Sequence, residues 1–172
     1  ADELDYDLPV EFIAQHPAQQ RDLSQLLVLD RITGSMQHCH FRDICEYFNA
    51  GDVLVLNNTR VLPCKLIGRR ASGGKVDALL VRPVGERRWS ALMRSTRHLQ
   101  SGEPVDFENG AVPAKYVERS EEGLAVFEFE ADDVVALLHK SARAPLPPYI
   151  KRDVWHDDSR DEDIERYQTV FA

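Results

Sequence analysis

The chain has 172 residues, of which 43% are hydrophobic and 29% are charged, and its formal net charge is −8. This length fits one domain or two small ones, and the apolar content excludes an intrinsically disordered chain. The negative total excludes a uniformly basic nucleic-acid-binding protein, but the charge is unevenly distributed: residues 60–98 hold ten basic residues against Asp77 and Glu86. Such segregation predicts a surface for a polyanion, with a solvated strand face as the alternative.

Cysteine usage and hydropathy bear on the compartment. Cys39, Cys45 and Cys64 show no C-x-x-C spacing, which indicates neither a disulfide framework nor a cysteine-rich zinc site. No apolar run reaches the about 18 residues of a membrane span, and the acidic start of the chain is unlike a signal peptide. His38 and His40 would share one strand face, but no second ligand pair accompanies them. We therefore expect a cytoplasmic protein with neither a metal site nor a membrane segment.

The first third of the chain predicts helices and strands in alternation. A short helix is expected over residues 9–14, and a hairpin over residues 25–41 with its turn at Thr33-Gly34. Helical spacing over residues 41–48 precedes Val53-Leu54-Val55-Leu56, an unbroken apolar run that is typical of a strand buried on both faces. Helices that flank such a strand indicate an α/β layer.

The pattern of apolar and turn-forming residues changes after Pro63, where it predicts six short strands separated by glycine-containing turns. They leave no room for crossover helices, so they indicate a small antiparallel barrel. A brief helix over residues 132–139 and an extended proline-rich segment over 145–149 follow. We expect residues 66–145 to form a barrel inserted into an α/β base domain made of residues 1–65 and 146–172. The predicted strands span residues 64–70, 75–82, 88–94, 103–107, 111–118 and 124–129.

Three segments offer polar groups to a ligand. Asn57, Asn58, Thr59 and Arg60 follow the apolar run, and ligands of open α/β sheets gather at strand carboxyl ends; a turn built by asparagine side chains is the alternative. Gly73-Gly74-Lys75 suits an anion cradle or, alternatively, a hairpin tip. The segment 147–152 combines prolines, Tyr149 and two cations, which suits a stacked base beside a phosphate, or plain packing of the Pro-Tyr unit.

Four ordered motifs and the start of the chain resemble one family, the S-adenosylmethionine:tRNA ribosyltransferase-isomerases of queuosine biosynthesis. The resemblance covers essentially the whole chain and implies an α/β domain interrupted by a six-stranded barrel. The motifs are Leu54-Val55-Leu56-Asn57-Asn58-Thr59-Arg60-Val61-Leu62-Pro63, Ala71-Ser72-Gly73-Gly74-Lys75-Val76, Pro145-Leu146-Pro147-Pro148-Tyr149-Ile150 and Tyr167-Gln168-Thr169-Val170, preceded by Asp5-Tyr6-Asp7-Leu8-Pro9 with Ile13-Ala14-Gln15-His16-Pro17.

The resemblance implies an enzyme that transfers and isomerises the ribosyl moiety of S-adenosylmethionine onto 7-aminomethyl-7-deazaguanine at the tRNA wobble position. The product is epoxyqueuosine, and adenine and methionine are released. S-adenosylmethionine is then a co-substrate, and no tightly bound cofactor is expected. No carboxylate or histidine stands out as the catalytic base. The expected substrate-binding residues are Asn57, Asn58, Thr59, Arg60, Gly73, Gly74, Lys75, Pro148, Tyr149, Lys151, Tyr167, Gln168 and Thr169, and the expected RNA-binding residues are Lys65, Arg69, Arg70, Arg82, Arg94 and Arg97.

The chain departs from the family pattern in two places. Ala142-Arg143 stands where the family usually has a Gly-His pair, so no role of that histidine is carried over. The family also continues for about the same length again beyond the Tyr-Gln-Thr motif, which predicts that this chain is an inactive amino-terminal portion. The alternative from another functional class is a non-catalytic RNA-binding module built on a basic small β-barrel.

Overall fold

The structure is a computed structural model that describes residues 5–95, 97–153 and 159–171. The chain divides into two compact units, one made of Ala1–Asn57 with Pro148–Lys151 and the other of Asn58–Pro147 with Arg152–Ala172. In the described ranges no helix has the length and the apolar character that crossing a membrane requires. The expected division into a base domain and an inserted domain stays a prediction.

The first unit contains the predicted hairpin, formed by β1 (Gln25–Leu29) and β2 (Met36–His40) in antiparallel register. Asp30 shapes the turn because its Oδ1 accepts hydrogen bonds from the amides of Ile32 and Thr33, each at 2.8 Å. These two amides hold the pKa of Asp30 below its ordinary value. The remaining elements are short 3-10 helices, Val10–Phe12, Arg21–Leu23 and Phe41–Tyr47, so two of the three lie within the predicted helices.

The prediction of a buried strand at residues 53–56 is wrong. Val53, Leu54, Val55 and Leu56 belong to no strand, and their side chains are 86%, 58%, 88% and 50% exposed. A strand buried on both faces needs hydrogen-bonding neighbours and a covering layer on each side. The described part of the first unit has only the two-stranded β1–β2 sheet, which provides neither for this run.

The second unit is built around the predicted barrel, and all six predicted strands are confirmed. The strands are β3 (Lys65–Arg70), β4 (Lys75–Pro83), β5 (Arg88–Ser95), β6 (Pro104–Phe107), β7 (Val112–Arg119) and β8 (Ala125–Phe129). They close in the order β3-β4-β5-β8-β7-β6 with antiparallel pairing throughout. The predicted fold class is thereby confirmed, since the barrel accompanies a two-stranded sheet and short helices.

Alternation along the strands fills the barrel interior. In β4, for example, Val76 and Ala78 are fully buried while the neighbouring Lys75 is exposed, as the two-residue period of a strand requires. Phe127 lies at the centre, with its ring edge-to-face against Phe107 at 5.4 Å and against Tyr116 at 5.9 Å between centroids. Aromatic pairs of this geometry add stability beyond the area that they bury.

Two helices follow the barrel. The predicted helix is confirmed as α1 (Val134–Ser141), whose first turn is capped by the Asp133 carboxylate at the amide of Ala136. The second, α2 (Arg160–Tyr167), was not predicted, because its polar sequence lacks an apolar period. Three acidic residues in its first turn favour a helix there, and Arg160 donates to the carbonyls of His139 and Ala142 at the end of α1.

The closure of the barrel between β3 and β6 depends on Gly68. A Cβ at this position would lie 2.6 Å from the carbonyl oxygen of Asp106 and 2.7 Å from Cδ1 of Phe107. We therefore expect Gly68→Ala to lower the free energy of unfolding by about 1–3 kcal/mol through overpacking. Urea unfolding followed by circular dichroism measures this. Gly85→Ala is the matched control, since its nearest contact is 3.5 Å away; equal stability of the two variants would contradict the prediction.

Candidate functional site

The first predicted ligand segment, Asn57, Asn58, Thr59 and Arg60, is exposed and has no regular secondary structure. Because the preceding apolar run forms no strand, the strand end that was expected to position these side chains is missing from the described residues. The next residue is held firmly: Val61 donates its N–H to Oε1 of Gln168 and accepts from Nε2 of the same amide, both at 2.8 Å. Substrate binding by the four residues stays a prediction.

The Tyr-Gln-Thr motif lies at the end of α2 and supports the chain around Val61. Tyr167 and Gln168 line a shallow pocket with Val61, Pro63 and Pro145 among others. Both polar atoms of the Gln168 side-chain amide bind the backbone of Val61, so the role that the structure shows for Gln168 is to hold this backbone segment. The Thr169 hydroxyl oxygen is buried and has no hydrogen-bond partner within the described residues. Buried hydroxyls normally have one, and substrate binding by Tyr167, Gln168 and Thr169 stays a prediction.

The glycine-rich segment forms the tip of the β3–β4 hairpin. Gly73 adopts a φ of +84° and donates its amide to the carbonyl of Arg70 at 2.8 Å, while the amide of Arg70 donates to the carbonyl of Gly74 at 2.9 Å. The Gly73 amide is therefore satisfied within the turn rather than directed outward. Lys75 is exposed at the start of β4, opposite Arg69 in the strand register. Anion binding at this tip stays a prediction that depends on side chains.

Gln15 organises the proline-rich segment within the first unit. Its Nε2 donates to the carbonyl of Tyr149 at 3.1 Å, and its Oε1 accepts from the amide of Lys151 at 2.7 Å. The Lys151 ammonium also donates to the carbonyl of Pro148 at 3.0 Å. Tyr149 is 54% exposed, and an exposed aromatic residue suits stacking on a base. Such stacking is a prediction for Pro148, Tyr149 and Lys151.

Carboxylates neutralise much of the basic stretch, and most of them lie outside it in the sequence. Lys65 binds Asp77 at 2.6 Å, Arg70 binds Glu103 at 2.6 Å and Arg82 binds Glu122 at 2.7 Å. Arg87 and Arg88 are paired likewise, with Asp132 and Glu128. The fold adds Glu103, Glu122, Glu128 and Asp132 as partners, whereas within residues 60–98 only Asp77 and Glu86 oppose the basic residues. Phosphate contacts by Lys65, Arg69, Arg70 and Arg82 stay predictions, and three of these four residues hold an acidic partner.

The Arg70–Glu103 pair is the most enclosed of those in the basic stretch. Its side chains are 12% and 16% exposed, and the contact is bidentate, with Nε–Oε1 at 2.6 Å and Nη2–Oε2 at 2.8 Å. Glu103 also accepts from the amide of Gln100 at 2.9 Å. The Arg70 guanidinium and, after it, the Gln100 amide lower the pKa of Glu103 below its ordinary value of 4.5.

This lowered pKa predicts an acid-dependent loss of stability. Because the unfolded chain takes up the proton first, the stabilisation from Glu103 is present above about pH 4.5 and is lost as pH falls through the folded-state pKa. We expect the stability gap between the native chain and Glu103→Gln to narrow on acidification, as measured by urea midpoints across that range. Glu122→Gln, which removes an exposed partner, is the control. A gap that does not vary with pH would refute the argument.

Four cationic or titratable side chains lie together at one end of the barrel. Arg94, Arg97, His98 and Arg119 line a depression of about 570 Å³ with Met93 and Ser95, which we call the basic cleft. Sequence reasoning selected Arg94 and Arg97, but it missed Arg119, which follows Glu118 in an acidic stretch of the chain. Only strand pairing brings it to the others. No group of three or more His, Cys, Asp and Glu residues suited to a metal ion occurs in the described ranges.

Comparison with known proteins assigns the family. The family profile described as "Queuosine biosynthesis protein" matches residues 1–172. The chain belongs to this family. Two proteins named S-adenosylmethionine:tRNA ribosyltransferase-isomerase, from Staphylococcus aureus strains JH9 and Newman, are each 40% identical to it over 173 residues, which is 99% of this chain and 49% of each relative. The queuosine biosynthesis chain thus spans about half the length of the curated relatives it matches.

A solved structure is also similar. The crystal structure of S-adenosylmethionine tRNA ribosyltransferase from Thermotoga maritima is 31% identical to this queuosine biosynthesis chain. The match covers 96% of this chain and 54% of that one, with a TM-score of 0.41.

The departure from the family pattern at Arg143 has a structural role in this queuosine biosynthesis protein. The Arg143 backbone pairs with Lys65 of β3 through bonds of 3.1 and 2.9 Å. Its Nε lies 2.8 Å from Oε2 of Glu108, whose other oxygen accepts from the amide of Ile67 at 2.9 Å. The two side chains are 21% and 7% exposed. Arg143 therefore fixes the segment after the barrel to β3, with no ligand required.

Proposed function

We propose that this chain is part of an enzyme that modifies tRNA by transferring and isomerising the ribosyl moiety of S-adenosylmethionine. The acceptor is 7-aminomethyl-7-deazaguanine at the wobble position, and the products are epoxyqueuosine, adenine and methionine. The observation that carries the proposal is the family match over residues 1–172 together with the naming of relatives at 40% identity. Because tRNA is the substrate, we expect the enzyme in the cytoplasm.

The chemistry of the co-substrate sets what the protein must supply. A sulfonium group acidifies the adjacent carbon and is a good leaving group, so the reaction needs a proton acceptor rather than a metal or redox cofactor. It also needs a pocket that excludes water and holds the ribosyl carbon against the acceptor amine. No carboxylate or histidine of the described residues is singled out as the base by the geometry, so the base stays unassigned.

Substrate binding is proposed for the residues of the family motifs, whose surroundings differ. Thr169 has a buried hydroxyl without a partner within the described residues, and Tyr149 has an exposed ring on a segment held by Gln15. Tyr149 is therefore better suited to direct contact than Gln168, whose amide binds Val61. Asn57, Asn58, Thr59 and Arg60 offer exposed polar groups, and Lys75 offers a cation at the glycine tip.

The test uses the protein expressed from the complete reading frame that contains these residues. Incubation with S-adenosylmethionine and tRNA that carries the deazaguanine precursor should release adenine and methionine in equal amounts and convert the wobble base. The same tRNA with guanine at that position should release neither. Saturable tRNA binding with no release of adenine would refute the proposal and favour the other functional class, a non-catalytic RNA-binding module on a small barrel.

A further inference from the structure

The basic cleft results from unequal pairing at one end of the barrel. The register between β5 and β8 ends at Ala91 opposite Ala125, and the register between β7 and β8 ends at Arg119 opposite the same Ala125. The β5 strand continues to Ser95, paired on its other side with Val76 of β4. Because β8 begins only at Ala125, no strand lies between the last residues of β5 and the last residues of β7 at this end of the barrel. The depression of about 570 Å³ lies where β8 is absent.

The lining of the cleft is cationic, and among the described residues it holds no carboxylate. Its six residues are Met93, Arg94, Ser95, Arg97, His98 and Arg119. Arg119 is oriented by a hydrogen bond from Nη1 to the carbonyl of Gly123 at 2.6 Å. Asp77 is the register partner of Arg94, but its carboxylate binds Lys65 at 2.6 Å. Over the described residues, Arg94, Arg97 and His98 form no ion pair, in contrast to the paired cations elsewhere on the barrel.

We propose that the basic cleft binds consecutive phosphates of the tRNA backbone and so docks the substrate on the barrel. Closely spaced guanidinium groups match phosphate oxygens in bidentate geometry. S-adenosylmethionine carries no phosphate and one carboxylate beside two cationic groups, so three arginines match it less well than they match consecutive phosphates of a polyanion. Phosphate contacts carry no sequence information, so the cleft positions tRNA and does not select the wobble base. The assignment of tRNA rests on the proposed function.

The experiment compares two triple variants of the protein from the complete reading frame. One variant replaces Arg94, Arg97 and Arg119 with alanine. The control variant replaces Arg87, Arg88 and Lys115 with alanine, which removes the same number of positive charges from side chains that are paired with Asp132, Glu128 and Glu130. Anisotropy of labelled tRNA gives the affinity from about 50 to 200 mM salt. The cleft variant should lose about 2–3 from the log–log slope, at about 0.7–0.9 per contact, and the control less than about 1.

Two outcomes would overturn the proposal. One is an equal loss of slope in both variants, which would indicate a general charge effect, and the other is an unchanged slope in the cleft variant. If the triple variant fails to fold, each single variant should still lose about 0.7–0.9, and no loss in any of them contradicts the cleft. The KM for tRNA in adenine release should rise in the cleft variant and rise less in the control variant. Slope loss in a protein that releases no adenine would refute the proposed function but support the cleft.

Discussion

Replacing Arg143 with alanine should lower the free energy of unfolding by about 3 kcal/mol. The substitution leaves the Glu108 carboxylate, only 7% exposed, without its cation, and breaking a buried ion pair by removing one partner costs about 3–5 kcal/mol. The lower end applies because the Arg143 side chain keeps 21% exposure and because the amide of Ile67 still donates to Glu108. Urea unfolding measures the loss.

Double variants separate this ion pair from simple packing. Glu108→Gln retains an oxygen for the amide of Ile67 and removes the charge, so Glu108→Gln combined with Arg143→Ala should be more stable than Arg143→Ala alone. Hydrogen exchange at the amide of Ile67 should accelerate in Arg143→Ala and slow again in the double variant. Arg88→Ala, from a pair with Glu128 that is 52% and 43% exposed, should cost less than about 1 kcal/mol. An equal cost for both single variants would contradict the buried-pair argument.

The barrel was predictable because its determinants are local. Strand alternation and glycine turns specify six strands over residues 64–129, and the structure differs from the prediction by a residue or so at the strand ends. The structure of the apolar run at residues 53–56 was not predictable in this way. A buried strand requires neighbouring strands, and the sequence pattern alone does not say whether those neighbours are present. Helix α2 was missed for the opposite reason: acidic residues at its start and Arg160 stabilise it without an apolar stripe.

The candidate site shows the same division between local and distant effects. Motifs selected Gln168 and Tyr149, but the partners that determine what each can do, Val61 and Gln15, lie far away in sequence. Charge counting located the basic stretch, yet strand pairing supplies Glu103, Glu122 and Glu128 as its partners. It also adds Arg119 to the cleft from a stretch with net negative charge. A positive net charge over a stretch of sequence therefore predicts a basic surface only where the fold places no carboxylates beside the basic side chains.

The 172-residue chain alone should release adenine from S-adenosylmethionine more than about a hundredfold more slowly than the protein from the complete reading frame. Misplacement of reacting groups by about 1 Å can cost a hundredfold in rate, and a site that is not fully enclosed admits water. The chain spans 49% of its curated relatives. Within the first unit, Val53 is 86% exposed and Val55 is 88% exposed.

The assay and its controls follow from that argument. Both proteins receive S-adenosylmethionine and the same precursor tRNA, and adenine and methionine are quantified over time. A β-sheet circular dichroism spectrum and a cooperative thermal unfolding transition would show that the barrel of the short chain is folded. Slow turnover would then reflect the site and not a failure to fold. The short chain should also bind tRNA through the basic cleft, since its six lining residues belong to the second unit. A rate equal to that of the longer protein would place the whole catalytic apparatus, including the unassigned base, within residues 1–172.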